Sequence, residues 1–196
     1  MSGRAEARGR YLWILRHGKA ASDAPLGGGD RERPLTARGR RDATALGKAL
    51  ATGEGPFGTE GVLIPEVVVC SAAVRTRQTA ALLVEASGEV LPVEERRSLY
   101  EADIDTAMDE LREIDDEVSS ALLVGHNPTM YRLALELLVE GGDQATNGFA
   151  ARRGREALEA HEFPTCALAA LYLPIDRWSD ASGGIAELQG LFTPPY

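Results

Sequence analysis

The residues best suited to chemistry in this sequence are two arginines and two histidines, Arg16, His17, Arg75 and His126. A guanidinium group matches the geometry of phosphate oxygens and stays protonated at neutral pH. A neutral imidazole is a good nucleophile, and its ordinary pKa is about 6.5. Two nearby arginines would disfavour protonation of His17 and keep its lone pair available. This set of side chains is typical of a site that binds and transfers a phosphoryl group.

The surroundings of these side chains allow more detailed expectations. We expect one ring nitrogen of His17 to donate to a main-chain carbonyl, which fixes the tautomer. We expect His126 to donate a hydrogen bond to the phosphoryl oxygens. Gly18 and Gly125 are expected to let the backbone approach the ligand, because glycine has no side chain to obstruct it.

Three apolar runs precede the candidate residues and predict buried strands: Tyr11–Leu15, Val67–Cys70 and Ala121–Val124. In an open α/β sheet, ligands bind beyond the carboxyl ends of the strands. Residues that follow such strands, or lie one helical turn beyond them, can therefore converge on one crevice. The sequence predicts that the two histidines and two arginines meet there.

Strand-like and helix-like segments alternate along the chain and predict an α/β fold, a three-layer α/β/α sandwich with a mostly parallel central sheet. Residues 1–10 are expected to form a flexible lead and residues 11–196 a single domain. The remaining predicted strands are Leu91–Val93, Cys166–Leu173 and Ile185–Phe192. The predicted helices are Thr36 to about Leu50, Ala72–Glu85, Ile104–Ile114, Met130–Val139 and a surface helix around Arg152–Ala160. The predicted loops are 18–35, with the flexible Gly27-Gly28-Gly29, 53–65, and the rest of 140–162.

Composition narrows the classes of function. The chain has 196 residues, of which 44% are apolar, and no apolar run approaches the roughly 20 residues of a membrane span. Its start is polar and does not resemble a secretory signal, so we expect a cytoplasmic protein without membrane association. The net charge of −9 argues against nucleic-acid binding.

The positive charge is concentrated near the start of the chain. Residues 1–41 carry ten Lys or Arg against four Asp or Glu. A solvated tail accounts for Arg4, Arg8 and Arg10. It does not account for the basic residues that follow, which are Arg16, Lys19, Arg31 and Arg33.

Cysteine and metal-ligand patterns are uninformative about catalysis. The two cysteines, Cys70 and Cys166, each lie in a strand-like stretch and are expected to be small core residues. The sequence contains no CxxC, HExxH or acidic calcium loop, so we expect neither a metal nor a cofactor.

The motifs together resemble the histidine phosphatase superfamily, also called the phosphoglycerate mutase-like family. Its RHG signature, its RPLTxxG stretch, its SxxxRxxxTA element and its GHNP motif match in order; these are Leu15–Gly18, Asp30 with Arg33–Gly39, Ser71–Ala80 and Gly125–Pro128. A fifth stretch, Phe163–Ala169, is similar to a PTxALA strand entry. The short chain and the LYEA wording at Leu99–Ala102 are most similar to the SixA group of phosphohistidine phosphatases.

This resemblance implies a mechanism without a cofactor. His17 would attack phosphorus in line and become transiently phosphorylated, and water would then release phosphate. Arg16, Arg75 and His126 would form the phosphate pocket, with Asn127 and Lys19 as further substrate-binding candidates. Larger members carry an acid for the leaving group, and Glu101 is the best-placed match, with Asp103 second.

Three functions remain open at this point. The first is a phosphatase for phosphohistidine or small phosphomonoesters, with a site open enough for a phosphorylated protein side chain. The second is a housekeeping phosphatase for a phosphorylated metabolite such as a sugar or nucleotide phosphate. The third is a binding protein that holds phosphorylated ligands without turnover.

Overall fold

A computed structural model of the chain describes residues 9–53, 64–138, 155–160 and 163–196. The described residues form a six-stranded sheet with helices against it. Its strands are Arg10–Arg16 (β1), Val67–Ser71 (β2), Val93–Arg96 (β3), Ser120–Gly125 (β4), Leu168–Leu173 (β5) and Glu187–Phe192 (β6). Its helices are Ala37–Thr52 (α1), Val74–Ser87 (α2), Ile104–Arg112 (α3) and Thr129–Leu137 (α4), and residues 155–160 are also helical.

The strands lie in the order β3-β2-β4-β1-β5-β6. The first four are parallel to one another, whereas β5 runs antiparallel to both β1 and β6. The predicted α/β fold with a mostly parallel sheet is therefore confirmed, and the antiparallel pairings are confined to one side of the sheet. The central position of β1 explains why its interior residues, Leu12–Leu15, are all apolar, since both of its faces are covered.

Side chains of β1 alternate between two apolar cores, as the period of a strand requires. Leu12 and Ile14 pack on the side that contains α3 and α4. Trp13 and Leu15 pack on the opposite side, against α1 and α2. Helices thus cover both faces of the sheet, which is the predicted three-layer arrangement.

The start of α1 is fastened to the segment that follows β1. The Thr36 hydroxyl accepts from the main-chain N–H of Gly39 at 3.1 Å, so it caps the helix as the sequence predicts. The main-chain N–H and the hydroxyl of Thr36 both donate to the Lys19 carbonyl, at 2.8 and 3.0 Å. These bonds hold α1 directly against the residues that follow His17.

Two glycines next to the candidate site are packed closely against neighbouring helices. A Cβ on Gly18 would lie 2.8 Å from the Gly39 carbonyl oxygen, and one on Gly125 would lie 2.7 Å from the sulfur of Met130. Both glycines therefore make room for neighbouring helices, and the expected approach of a ligand to their backbone stays a prediction. The Gly39 position is tighter still, since a Cβ there would lie 2.3 Å from the Lys19 carbonyl oxygen.

Several local predictions differ from the structure. Arg10 is not part of a solvated tail, because it begins β1, is 8% exposed and donates to the Val118 and Asp176 carbonyls. The edge strand β3 begins where the predicted strand Leu91–Val93 ends, since its own charged residues give no apolar signal. Cys166 lies in a turn before β5, with φ at 64°.

Other predictions are confirmed or fall on residues that are not described. Both cysteines are free and buried, and burial raises the pKa of Cys70 to about 11. None of the helices formed by the described residues is long and apolar enough to span a membrane.

Some predictions fall outside the described ranges. They concern residues 1–8, most of the predicted loops 53–65 and 140–162, and the start of the predicted helix around Arg152–Ala160.

Candidate active site

The register of the sheet places His17 and His126 side by side. Arg16 is paired with Gly125 across β1 and β4, so each histidine is the next residue beyond that pair. The main-chain N–H of His17 donates to the Gly125 carbonyl at 3.1 Å. The two imidazole rings meet edge to face with their centroids 5.2 Å apart.

The ring of His17 is held in one tautomer. Its Nδ1 lies 2.7 Å from the Gly18 carbonyl oxygen, which can only accept, so Nδ1 carries the proton and donates. This is the main-chain bond expected from the sequence, and it leaves the lone pair on Nε2. Burial and the charges of Arg75 and Arg16 lower the pKa of His17 to about 4. The ring is therefore neutral at physiological pH, which is the form in which an imidazole can act as a nucleophile.

His126 has one bonded and one unbonded ring nitrogen. Nε2 lies 2.8 Å from the Ser71 hydroxyl, whereas Nδ1 is buried without a protein partner. Burial, then the neighbouring His17 and Arg75, lower the pKa of His126 to about 3. If the Ser71 hydroxyl donates to Nε2, Nδ1 carries the proton and is a free donor for a ligand oxygen.

Arg75 is 5% exposed and forms a two-point contact with Asp30. Its Nη1 donates to the Asp30 carbonyl at 2.7 Å and its Nη2 to the Asp30 carboxylate at 2.8 Å. The same carboxylate accepts from the Tyr100 hydroxyl at 3.1 Å and pairs with Arg33 at 2.6 Å. Although partial burial opposes the shift, these contacts lower the pKa of Asp30. Asp30 therefore orients Arg75 as an ionised partner.

Arg16 and Asn127 share one acceptor on the other side of the histidines. Nη1 of Arg16 and Nδ2 of Asn127 each donate to the Phe163 carbonyl at 3.0 Å. Nε of Arg16 and Oδ1 of Asn127 are buried without partners. The shared carbonyl orients both side chains and leaves each with one polar atom unsatisfied.

Thr79 connects the segment after His17 to the helix that carries Arg75. Its hydroxyl accepts from the main-chain N–H of Gly18 at 3.0 Å and donates to the Arg75 carbonyl at 2.7 Å. The carbonyls of Arg16 and His17 both accept from the N–H of Cys166, each at 3.1 Å. Three separate parts of the chain therefore hold the first histidine in place.

A cleft of about 890 Å³ opens beside this cluster. Arg75, His126, Asn127 and Glu101 line it, whereas Arg16, His17 and Lys19 do not. His17 lies next to the cleft, in contact with His126. The side chain of Lys19 is exposed, and its role in substrate binding stays a prediction.

The two candidate acids have different surroundings. Glu101 is exposed, lines the cleft and has φ at 60°, a conformation that costs a residue with a side chain about 1 kcal/mol or more. Asp103 instead caps α3, because its carboxylate accepts from the Thr106 N–H at 2.8 Å, and this bond lowers the pKa of Asp103. Asp103 is thus committed to the helix, which leaves Glu101 as the better candidate acid.

Sequence reasoning did not assign a role to four residues of this network, which are Asp30, Ser71, Thr79 and Tyr100. The first three lie within the matched motifs and the last within the LYEA stretch, so signals existed for all of them. The role of Phe163 could not be read from its side chain, because the group that accepts from Arg16 and Asn127 is its main-chain carbonyl. Within the described ranges, no group of three or more His, Cys, Asp or Glu side chains could hold a metal ion.

Comparisons with known proteins agree with this geometry. A family model of the histidine phosphatase superfamily (branch 1) matches residues 12–128. An uncharacterised protein of Mycobacterium leprae is 36% identical over 165 residues, which is 84% of this chain and 89% of the relative.

Solved structures show the same likeness along nearly the whole chain. A Nakamurella multipartitia protein provisionally named phosphohistidine phosphatase SixA is 31% identical, with a TM-score of 0.74 and coverage of 96% of this chain and 98% of that one. An Agrobacterium tumefaciens protein with the same provisional name is 26% identical, with a TM-score of 0.67 and coverage of 94% and 98%. The chain therefore belongs to the histidine phosphatase superfamily.

Proposed function

We propose that this chain is a SixA-like phosphatase that hydrolyses phosphohistidine or small phosphomonoesters through a transient phosphohistidine on His17. The observation that carries the proposal is the bond from Nδ1 of His17 to the Gly18 carbonyl, which leaves a neutral Nε2 beside His126. The family match and the SixA-named structural neighbours support the same class of reaction.

The first half of the reaction forms a nitrogen–phosphorus bond. Nε2 of His17 attacks phosphorus with its lone pair. The bond between phosphorus and the leaving nitrogen or oxygen breaks, and the leaving atom keeps the electron pair and takes up a proton from an acid such as Glu101 or from water. Arg16, Arg75 and His126 stabilise the charge on the three equatorial oxygens. In the second half, water attacks phosphorus, the electron pair returns to Nε2, and phosphate leaves.

Arg75 can serve Asp30 and a phosphoryl group together. A guanidinium group has five N–H donors, and two of those on Arg75 are used by Asp30. Nε of Arg75 is buried without a protein partner and is one of the remaining donors. The contact with Asp30 therefore fixes the position of the guanidinium and leaves it with N–H donors for a phosphoryl group.

The chemistry of the leaving group determines how much the rate of the reaction depends on an acid of the enzyme that protonates it. A phosphoramidate nitrogen leaves with less help than an alkoxide, so a site with an exposed acid such as Glu101 suits phosphohistidine. If Glu101 protonates the leaving oxygen, ordinary phosphomonoesters also become substrates.

Hydrolysis of a generic aryl phosphate, with and without a chelator, tests the reaction class. We expect chelator-resistant activity that His17→Ala lowers by at least about four orders of magnitude, because the nucleophile is removed. Arg75→Ala should lower it by about 10²- to 10³-fold through lost charge stabilisation. Arg38→Ala, on the exposed start of α1, is the matched control and should leave the rate unchanged.

Two further measurements separate the alternatives. Rapid quenching should trap a base-stable, acid-labile phosphoryl label in the wild type and none in His17→Ala, whereas a protein that only binds phosphorylated ligands would show no turnover. Kinetics on a phosphohistidine peptide and on sugar phosphates would identify the substrate class. A clear preference for the sugars would rule out the phosphohistidine assignment in favour of a metabolite phosphatase.

A further inference from the structure

The cleft beside His126 continues along α3 and α4, and most of the charged side chains in its walls are carboxylates. The acidic side chains that line it are Asp30, Glu101, Asp103, Asp105, Asp109 and Glu136. The arginines that line it are Arg75, Arg112 and Arg132. Carboxylates thus outnumber guanidinium groups two to one in the described wall of this cleft.

The excess of negative charge in the wall remains when ion pairs are set aside. Nη1 of Arg112 pairs with Asp109 at 2.9 Å and its Nε donates to the Ala181 carbonyl at 2.9 Å, so these two opposite charges balance each other. Asp105 and Asp109 lie one turn apart on α3, and both are exposed. Residues four apart on a helix are neighbours on one face, so this turn of α3 presents two carboxylates together.

The inner end of the site has the opposite charge. Arg16, Arg33 and Arg75 lie close enough to His17 for their charges to lower its pKa. One end therefore attracts a phosphoryl group and the adjoining cleft attracts cations. A substrate that carries further phosphates or carboxylates would meet like charges in the cleft, whereas ammonium or guanidinium groups would meet opposite ones.

The inner end of this cleft coincides with the place proposed for the phosphoryl group. Arg75 lines its inner end, is more than nine-tenths buried and has an Nε without a protein partner. A buried polar group is normally hydrogen-bonded, so such an atom indicates a partner that binds there. The volume of about 890 Å³ is near the upper end of the roughly 300–1,000 Å³ typical of ligand sites.

We infer that the phosphoryl group is carried by a basic polypeptide segment, with Lys or Arg side chains close to the phosphohistidine, that lies along the cleft between α3 and α4. This inference rests on the proposed function and specifies its substrate. The phosphoryl group enters the cationic end, and the flanking basic side chains contact Asp105 and Asp109.

Two phosphohistidine peptides that differ only in their flanking residues, Lys in one and Glu in the other, test this inference. The measured quantity is the ratio of the two kcat/KM values, which does not depend on the fraction of enzyme that is active. We expect the wild type to prefer the Lys peptide by about tenfold or more at low ionic strength. Added salt should narrow the ratio, because it screens exposed charges.

Charge-reversal variants test whether the preference for the Lys peptide arises in the cleft. Asp105→Lys should lower the ratio by about threefold to tenfold, because it replaces attraction in the cleft by repulsion. Glu85→Lys makes the same change of net charge on the exposed face of α2, outside the cleft, and should leave both the ratio and the aryl phosphatase rate unchanged.

Each outcome decides a different question. Equal kcat/KM for the two peptides, a preference for the Glu peptide, or an equal loss of preference in Glu85→Lys would overturn the basic carrier and leave the phosphohistidine assignment in place. Turnover of aryl phosphate without turnover of either peptide would overturn the phosphohistidine assignment and the basic carrier together.

Discussion

The protonation state of His17 is set by the groups that surround its ring. The Gly18 carbonyl fixes the proton on Nδ1, and burial together with nearby guanidinium charges keeps Nε2 unprotonated. The same burial would make a charged imidazole costly, so the ring of the free protein is neutral, which is the form that the proposed attack on phosphorus requires. The arginines proposed to bind the phosphoryl group thus also keep the proposed nucleophile neutral.

The protonation of the two histidines can be measured directly. Because their pKa values are lowered to about 4 and about 3, neither ring of the free protein should titrate between about pH 8 and about pH 5.5. Nitrogen NMR of ¹⁵N-histidine-labelled protein should also show His17 as the Nδ1–H tautomer. The urea-unfolded protein, titrating near 6.5, is the control, and a native midpoint for His17 near that value would contradict the assignment.

The role of Glu101 is expected to depend on the leaving group. Glu101→Gln removes a proton donor, so hydrolysis of an alkyl phosphate should fall by about 10²-fold or more while that of a good aryl leaving group changes little. The control is Asp103→Asn, which retains an acceptor for the Thr106 N–H and should affect both substrates alike. Equal losses on both substrates in Glu101→Gln would argue against an acid role.

At the scale of elements, the site is positioned by contacts between the segment after β1 and the starts of two helices. Thr36 fastens α1 to the Lys19 carbonyl, and Thr79 of α2 fastens Gly18 to the helix that carries Arg75. Gly39 lets the first turn of α1 approach the Lys19 backbone more closely than a side chain would allow. The catalytic geometry therefore depends on backbone packing as well as on the side chains of the site.

Gly39→Ala should be damaging for this reason. Its Cβ would lie 2.3 Å from the Lys19 carbonyl oxygen, so the backbone must move, at a cost of about 1–3 kcal/mol in unfolding free energy. We expect a Tm lower by about 3–10 °C and reduced aryl phosphatase activity, because the segment after His17 shifts. Gly29→Ala is the control, since its Cβ meets nothing closer than 3.5 Å. An unchanged Tm in Gly39→Ala would show that the packing is more tolerant than the geometry indicates.

At the scale of the whole molecule, folding places opposite charges at the two ends of one site. The protein has a net charge of −9, yet Arg16, Arg33 and Arg75 lie near His17, and carboxylates line the cleft beyond. His17 and His126, which are neutral and partly buried, couple the protonation of this site to the stability of the fold. In the unfolded chain the same rings bind protons near pH 6.5, so the unfolded state gains protons first on acidification.

Acidification should therefore destabilise the protein in a defined window. Between about pH 6.5 and about pH 4, each histidine should lower the unfolding free energy by up to about 1.4 kcal/mol per pH unit, because the unfolded state binds more protons there. Urea unfolding across this range measures the slope. His17→Asn should flatten it by removing one of the two groups, and a flat wild-type profile would contradict the lowered pKa values.

The sequence determined most elements because their signals are local. The three strands that precede the site are apolar runs, and Thr36 marks the start of α1 by a side-chain cap. Prediction was weaker at the exposed edge strand β3, whose charged residues give no apolar signal, and at Cys166, where a buried turn has the same apolar pattern as the strand that follows it. The antiparallel direction of β5 also had no local signal, because a buried strand reads alike in either direction.

The sequence by itself also determined which side chains could handle phosphate, since residue type and position after a strand fix that chemistry. Only the tertiary structure decided how they are used. In the structure the Asp30 carboxylate accepts from Arg75, Asp103 caps α3, and the Phe163 carbonyl accepts from Arg16. These assignments depend on distances between residues far apart in the chain, and such distances are set by the packing of helices against the sheet rather than by any local pattern.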